Sequence, residues 1–170
     1  RQILSYADGT PSLSASYDYR KSWNDLSVGM PLVNYYTITF HTTNPNVIFM
    51  GCGVFIFKSG DKGFSWDSVT VTDYTFTYSI IYDPSNTQTL YAAGYSILGS
   101  DSIRLFRSLD SGNTWSLFYK DKIADMKGVM ALHLYENSLI IYTRNAGFYA
   151  LDLTTAGLLP VEKSQNQLTI

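Results

Sequence analysis

The sequence holds one cysteine, Cys52, so no disulfide framework can form within the chain. Charge is scarce as well. Only 15% of residues are charged, where a typical domain has about a quarter. The 12 Lys and Arg residues against 14 Asp and Glu give a formal charge of −2. A phosphate footprint needs clustered cations, so nucleic acid is excluded as a partner. No apolar run reaches the ~20 residues of a membrane-crossing helix, and membrane insertion is not expected. Neither a phosphate-binding glycine loop nor a dinucleotide fingerprint is present, so no cofactor is expected. His41 and His133 have no second ligand at i+2 or i+4, which argues against a metal site. Cys52, between Gly51 and Gly53, reads as a small buried hydrophobe rather than a nucleophile. There is no N-x-[ST] glycosylation site and no long helical pattern. The sequence begins at Arg1 with neither methionine nor leader, as a processed product or an excised piece would.

What is present is 45% apolar and 15% aromatic residues, enough for a core. Low charge with many hydroxyl residues points to an extracellular or cell-surface location. The three tryptophans all close a copy of one motif. Ser108-Leu109-Asp110-Ser111-Gly112-Asn113-Thr114-Trp115 is matched position by position by Ser59-Gly60-Asp61-Lys62-Gly63-Phe64-Ser65-Trp66. A third copy, Ser16-Tyr17-Asp18-Tyr19-Arg20-Lys21-Ser22-Trp23, carries Arg20 where the others carry glycine. Strand-like runs flank the copies that begin at Ser59 and Ser108, so each of these reads as the turn of a β-hairpin. The aspartate accepts N–H groups of its own turn, and glycine supplies positive φ without steric cost. Ser or Thr adds a local hydrogen bond, and the tryptophan buries apolar area between neighbouring strands. Arg20 at such a position costs about 1 kcal/mol.

The pattern S-x-D-x-G-x-[ST]-W resembles the Asp-box, or BNR repeat, of sialidases, xyloglucanase-type glycosidases, sortilin-like receptors and photosystem assembly factors. The resemblance implies an all-β fold, a β-propeller with blades of four antiparallel strands. It assigns Ser16, Asp18, Trp23, Ser59, Asp61, Gly63, Trp66, Ser108, Asp110, Gly112 and Trp115 a structural role. It also sets the boxes on the rim, away from the ligand face.

The tryptophans recur at roughly the 40–50 residues of a propeller blade. A second echo pairs the run from Tyr36 to Asn44 with that from Tyr78 to Asn86. The single domain of 170 residues therefore divides into units at about 1–31, 32–72, 73–124 and 125–170. In the first unit a first strand is missing. In the fourth, Phe148-Tyr149-Ala150-Leu151-Asp152 echoes Phe106-Arg107-Ser108-Leu109-Asp110 without a following tryptophan, a decayed box. The segment 121–129 reads as a connection with at most one helical turn. Three to four blades are either part of a larger propeller or a small closed one, in which the tail 165–170 supplies the missing strand. In the first case, the open edges meet the remainder of that propeller or another chain.

Ligand sites in such propellers fall on the face opposite the boxes, here loops 27–34, 51–53, 72–77, 94–102, 119–128 and 144–147. Within them Tyr74, Tyr95, Asp101 and Arg144 are the ligand-face candidates. Glycoside hydrolysis needs two carboxylates about 5–10 Å apart, for which Asp73, Asp101, Asp121 and Asp125 are weak candidates. No catalytic residue is assigned beyond these. Of the arginines a sialidase-like site would gather, Arg20 and Arg107 fall in or beside boxes, leaving Arg1, Arg104 and Arg144. The expected function is a non-catalytic module that binds a protein or glycan or serves as a scaffold. The alternative is part of a secreted glycoside hydrolase whose catalytic residues lie partly outside this chain.

Overall fold

A computed structural model of the chain describes residues 3–6, 13–27, 30, 34–70, 75–96, 102–122, 128–155 and 158–160. Among them there is no helix, and the strands form four antiparallel sheets. The first has three strands, β1 (Ile3–Tyr6), β2 (Leu13–Ser16) and β3 (Asn24–Asp25). In the second, β4 (Tyr35–Phe40), β5 (Ile48–Cys52), β6 (Phe55–Ser59) and β7 (Asp67–Thr70) lie side by side in chain order. The third repeats that order with β8 (Thr75–Tyr82), β9 (Leu90–Ser96), β10 (Ser102–Ser108) and β11 (Ser116–Lys122). The fourth holds β12 (Val129–Tyr135), β13 (Ser138–Thr143), β14 (Phe148–Asp152) and β15 (Leu158–Pro160). The period-two alternation of the sequence puts one set of side chains on each face.

The sheets stack face to face in chain order. Leu13, Ala15 and Leu26 of the first pack on Met50, Cys52 and Phe57 of the second. Phe49 and Ile56 then meet Ile80, Leu90, Ala92 and Phe106 of the third. Tyr91, Ala93 and Leu105 meet Leu132, Ile141 and Leu151 of the fourth. Phe49, Ile56, Leu90 and Phe106 are fully buried, and each such side chain stabilises by about 1.5–3 kcal/mol. The first strands of successive sheets, β4, β8 and β12, lie against one another. The tail 165–170, and with it the expectation that it closes a ring, lies outside the described residues.

The three motif turns share one geometry. The carboxylates of Asp18, Asp61 and Asp110 accept the backbone N–H four residues on, from Ser22, Ser65 and Thr114, at 2.8–2.9 Å. The same residues donate a hydroxyl to the other carboxylate oxygen at 2.6–2.7 Å. Ser16, Ser59 and Ser108 donate to the aspartate and accept from the N–H of Arg20, Gly63 and Gly112. These bonds hold all three carboxyl groups at a pKa of about 2. Each turn has two consecutive left-handed residues: Tyr19 and Arg20, Lys62 and Gly63, Ser111 and Gly112. The Asp61 and Asp110 turns are tied to the first hairpin of their own sheet, Lys62 N–H to Asn46 C=O and Ser111 N–H to Gln88 C=O.

Two expectations need correction. Trp66 and Trp115 are half-buried against the preceding sheet, but Trp23 is 44% exposed. Its sheet is the first, and no earlier sheet among the described residues offers it a face. The fourth copy of the motif is also shifted by one residue. Ser59 pairs with Ile48 and Ser108 with Leu90, whereas Leu151, not Ala150, pairs with Leu139. A one-residue slip exchanges the faces, so a buried leucine fills the place of the capping serine. Asp152 instead accepts the N–H and hydroxyl of Thr154 in a local turn. As for the segment 121–129, Asp121 and Lys122 belong to β11 and residues 123–127 are outside the described set.

Candidate functional site

Because β2, β6 and β10 each end in a motif turn, these turns lie at one end of the sheets. The ends where β4, β8 and β12 begin lie opposite. Each of these strands carries a bulge there, with Tyr36, Tyr78 and Met130 left out of the ladder. A bulge adds one unpaired residue and re-aims its side chain. Tyr36 and Tyr78 consequently meet across the boundary between the second and third sheets, ring centroids 4.5 Å apart. Phe76 closes on Tyr36 edge to face at 5.7 Å. Burial, then the neighbouring Tyr36, raises the Tyr78 hydroxyl pKa while Arg144 opposes the rise.

The cluster continues onto the fourth sheet. Tyr95 is the cross-strand partner of Phe76. Its ring lies against Gly128, whose φ is 103° and where a Cβ would stand 2.9 Å from Tyr95 Cδ2. Gly128 C=O accepts the N–H of Arg144 at 3.1 Å, which fixes the exposed arginine beside the tyrosines. At the same end Arg104 is 7% exposed and donates to Ser96 at 2.7 Å and Ser102 at 3.1 Å. Ring faces, hydroxyl edges and a guanidinium suit this surface to stacking and hydrogen bonding.

Of the residues named from the sequence, Tyr95 and Arg144 come together here, through Tyr78. Asp121 lies at the end of β11, exposed, and accepts the Tyr119 hydroxyl at 3.0 Å and the Lys122 N–H at 2.7 Å. Burial, then this bond, pushes the Tyr119 hydroxyl up to about 12. Asp73, Tyr74, Asp101 and Asp125 lie outside the described residues. Among the described residues no three His, Cys, Asp or Glu side chains converge as a metal site would require. Cys52 is buried, its thiol pushed up to about 12. Arg107, beside the third motif turn, stacks on Phe118 at 5.2 Å.

Sequence reasoning missed Tyr36, Phe76 and Tyr78 as site residues. The signal was present: the two tyrosines occupy the same position in the echo between the second and third units.

The sequence matches no protein-family model and no curated protein. Solved structures do resemble its fold. An ancestral GH74 enzyme is similar over 96% of this chain at 17% identity, TM-score 0.76, and the match covers 22% of that enzyme. A GH74 enzyme of Niastella koreensis gives 95%, 14% identity and 0.69, with 28% of its length covered. YCF48 bound to a D1 peptide gives 93%, 14% identity and 0.59, with 49% covered. The chain thus spans between about a fifth and a half of the chains it matches. The four stacked antiparallel sheets are the blades of a β-propeller.

Proposed function

We propose that this chain is part of an Asp-box β-propeller that works as a non-catalytic binding module. Its ligand, a peptide or a glycan, lies on the face opposite the motif turns, across the edges of the second, third and fourth blades. The observation that carries this reading is the pair of bulged tyrosines, Tyr36 and Tyr78, set with Phe76, Tyr95 and Arg144 at one end of three blades. Bulges interrupt the ladder and cost pairing, so a repeated aromatic at that position is better explained by recognition than by packing. Loops and strand ends on a rigid scaffold are where binding residues concentrate. That a propeller of similar fold is bound to a D1 peptide supports a peptide as the ligand.

The test is calorimetric titration with extended peptides and with glucan oligosaccharides. Tyr78→Ala and Arg144→Ala should each weaken binding by about tenfold, the loss expected of a central aromatic or arginine. Tyr19→Ala, on the motif-turn rim, should leave it unchanged. Binding that survives both site substitutions would remove the reading.

A second reading is part of a secreted glycoside hydrolase, sialidase- or xyloglucanase-like, favoured by the two GH74 enzymes of similar fold. It would draw its acids from Asp73, Asp101, Asp121 and Asp125, and release of reducing ends from xyloglucan would decide for it.

A further inference from the structure

The second and third blades are pinned together beside their bulged tyrosines. Thr77 N–H of the third blade donates to Gly53 C=O of the second at 3.1 Å. Gly51, cross-strand partner of Thr37, lies under the same strand, and a Cβ there would collide with Thr77 C=O. Any side chain at position 51 would therefore push the third blade away. Tyr36 precedes Thr37 and Tyr78 follows Thr77, so these close contacts hold the backbones of both tyrosines. Their rings are half-buried, with centroids 4.5 Å apart and planes inclined by 33°. At that distance ring carbons of the two are in van der Waals contact.

Two phenols in contact share a reaction that an isolated tyrosine lacks. One-electron oxidation turns each into a phenoxyl radical, and two such radicals join through the ring carbons beside the hydroxyls. Tyr19 and Tyr135 are 75% and 61% exposed, so a reaction governed by exposure alone would fall on them. Proximity instead favours Tyr36 with Tyr78, because the second ring is already in place when the first is oxidised.

We propose that Tyr36 and Tyr78 form a dityrosine cross-link that staples the second blade to the third. The oxidant is hydrogen peroxide, acting through a haem peroxidase. Each hydroxyl gives up one electron and one proton, and a bond forms between a Cε of each ring. The hydrogens on the joined carbons then pass to the two oxygens, which restores both phenols. Two electrons and two protons reduce one hydrogen peroxide to two water molecules, so the chain loses two hydrogens in all. The site uses rings of the binding reading but does not depend on it, since no ligand takes part. The joined residues lie about forty positions apart in the chain, and such a link constrains the unfolded state as a disulfide does.

The test treats the dilute full chain with a haem peroxidase and hydrogen peroxide, then reads digests by mass spectrometry. The product should be a monomer lighter by two hydrogens, with the peptides that carry Tyr36 and Tyr78 joined. Its urea midpoint should rise by about 1–2 M. Tyr36→Phe and Tyr78→Phe keep the stacked rings without the hydroxyl, and each should cut the intramolecular link by about tenfold or more. Unfolding the parent in urea before oxidation should cut it as far, a comparison that needs no variant to fold. Tyr95→Phe should leave the yield unchanged. Links through Tyr19 or Tyr135, or between chains, in place of this pair overturn the proposal. So does an intramolecular yield that survives Tyr78→Phe or urea, or a lowered midpoint, which would mean a link made by a distorted chain.

Discussion

Replacing Gly112 by alanine adds one methyl group where two blades are wedged together. The residue has φ 78°, and a Cβ would lie 2.3 Å from both Cε1 and Cζ of Phe49. Phe49 is fully buried and has Lys58 Nζ 5.7 Å from its ring centroid, so it cannot swing aside. The left-handed backbone costs an alanine about 1 kcal/mol, and overpacking a fixed ring typically adds 1–3 kcal/mol. The expected loss is therefore about 2–4 kcal/mol. At an m-value near 2 kcal/mol per M, the urea midpoint should fall by about 1–2 M. Gly60→Ala is the control, in the second motif, with nothing within 4 Å of its Cβ and no positive φ. It should stay within about 0.5 kcal/mol of the parent. Arg20→Gly removes the left-handed cost but frees the unfolded chain, two effects of about 1 kcal/mol that nearly cancel. A Gly112→Ala chain as stable as Gly60→Ala would refute the wedge.

Two other perturbations separate the motif's parts. Asp18, Asp61 and Asp110 have folded pKa values of about 2, below the ordinary 3.8, because Ser22, Ser65 and Thr114 hydrogen-bond the charged form. A depressed carboxyl pKa stabilises the fold above the unfolded value, and that stability is lost as pH falls from about 4 to about 2. The urea midpoint should drop across that window, and a D61N/D110N double variant should drop less. Trp66 Nε1 donates to Leu26 C=O at 3.1 Å, whereas Trp115 Nε1 is buried without a partner among the described residues. Trp66→Phe should therefore cost about 1 kcal/mol more than Trp115→Phe in chemical unfolding, and equal costs would show that the indole bond contributes nothing.

The motif turns were legible because their chemistry is local. The serine and aspartate bonds within them join residues two to four apart, so residue types at fixed spacing carry the geometry. The blade order followed for the same reason: alternating runs between such turns pair with their neighbours in the chain. The decayed fourth copy misled the reading by one residue. Without the serine and aspartate pair nothing local fixes the register, and only pairing with β13 placed Leu151 inside.

The candidate site was legible only in fragments. Tyr95 and Arg144 stood out as polar and aromatic residues of loops, but Tyr36, Phe76 and Tyr78 read as ordinary strand residues. A ladder bulge, invisible to period-two alternation, turns Tyr36 and Tyr78 out of their strands. Stacking of one blade on the next then sets the two rings 4.5 Å apart.

By itself, then, the sequence determined an all-β chain of repeated hairpins and the conformation of their turns, since hydrogen bonds within a few residues are enough to specify both. Tertiary structure decided which tryptophans have a face to lie on, why Trp23 meets no earlier sheet among the described residues, and which side chains share the end opposite the turns. Those outcomes depend on contacts between sheets, where the partners of Phe49, Tyr78 and Gly128 lie more than thirty residues away in the chain. No local pattern encodes that distance.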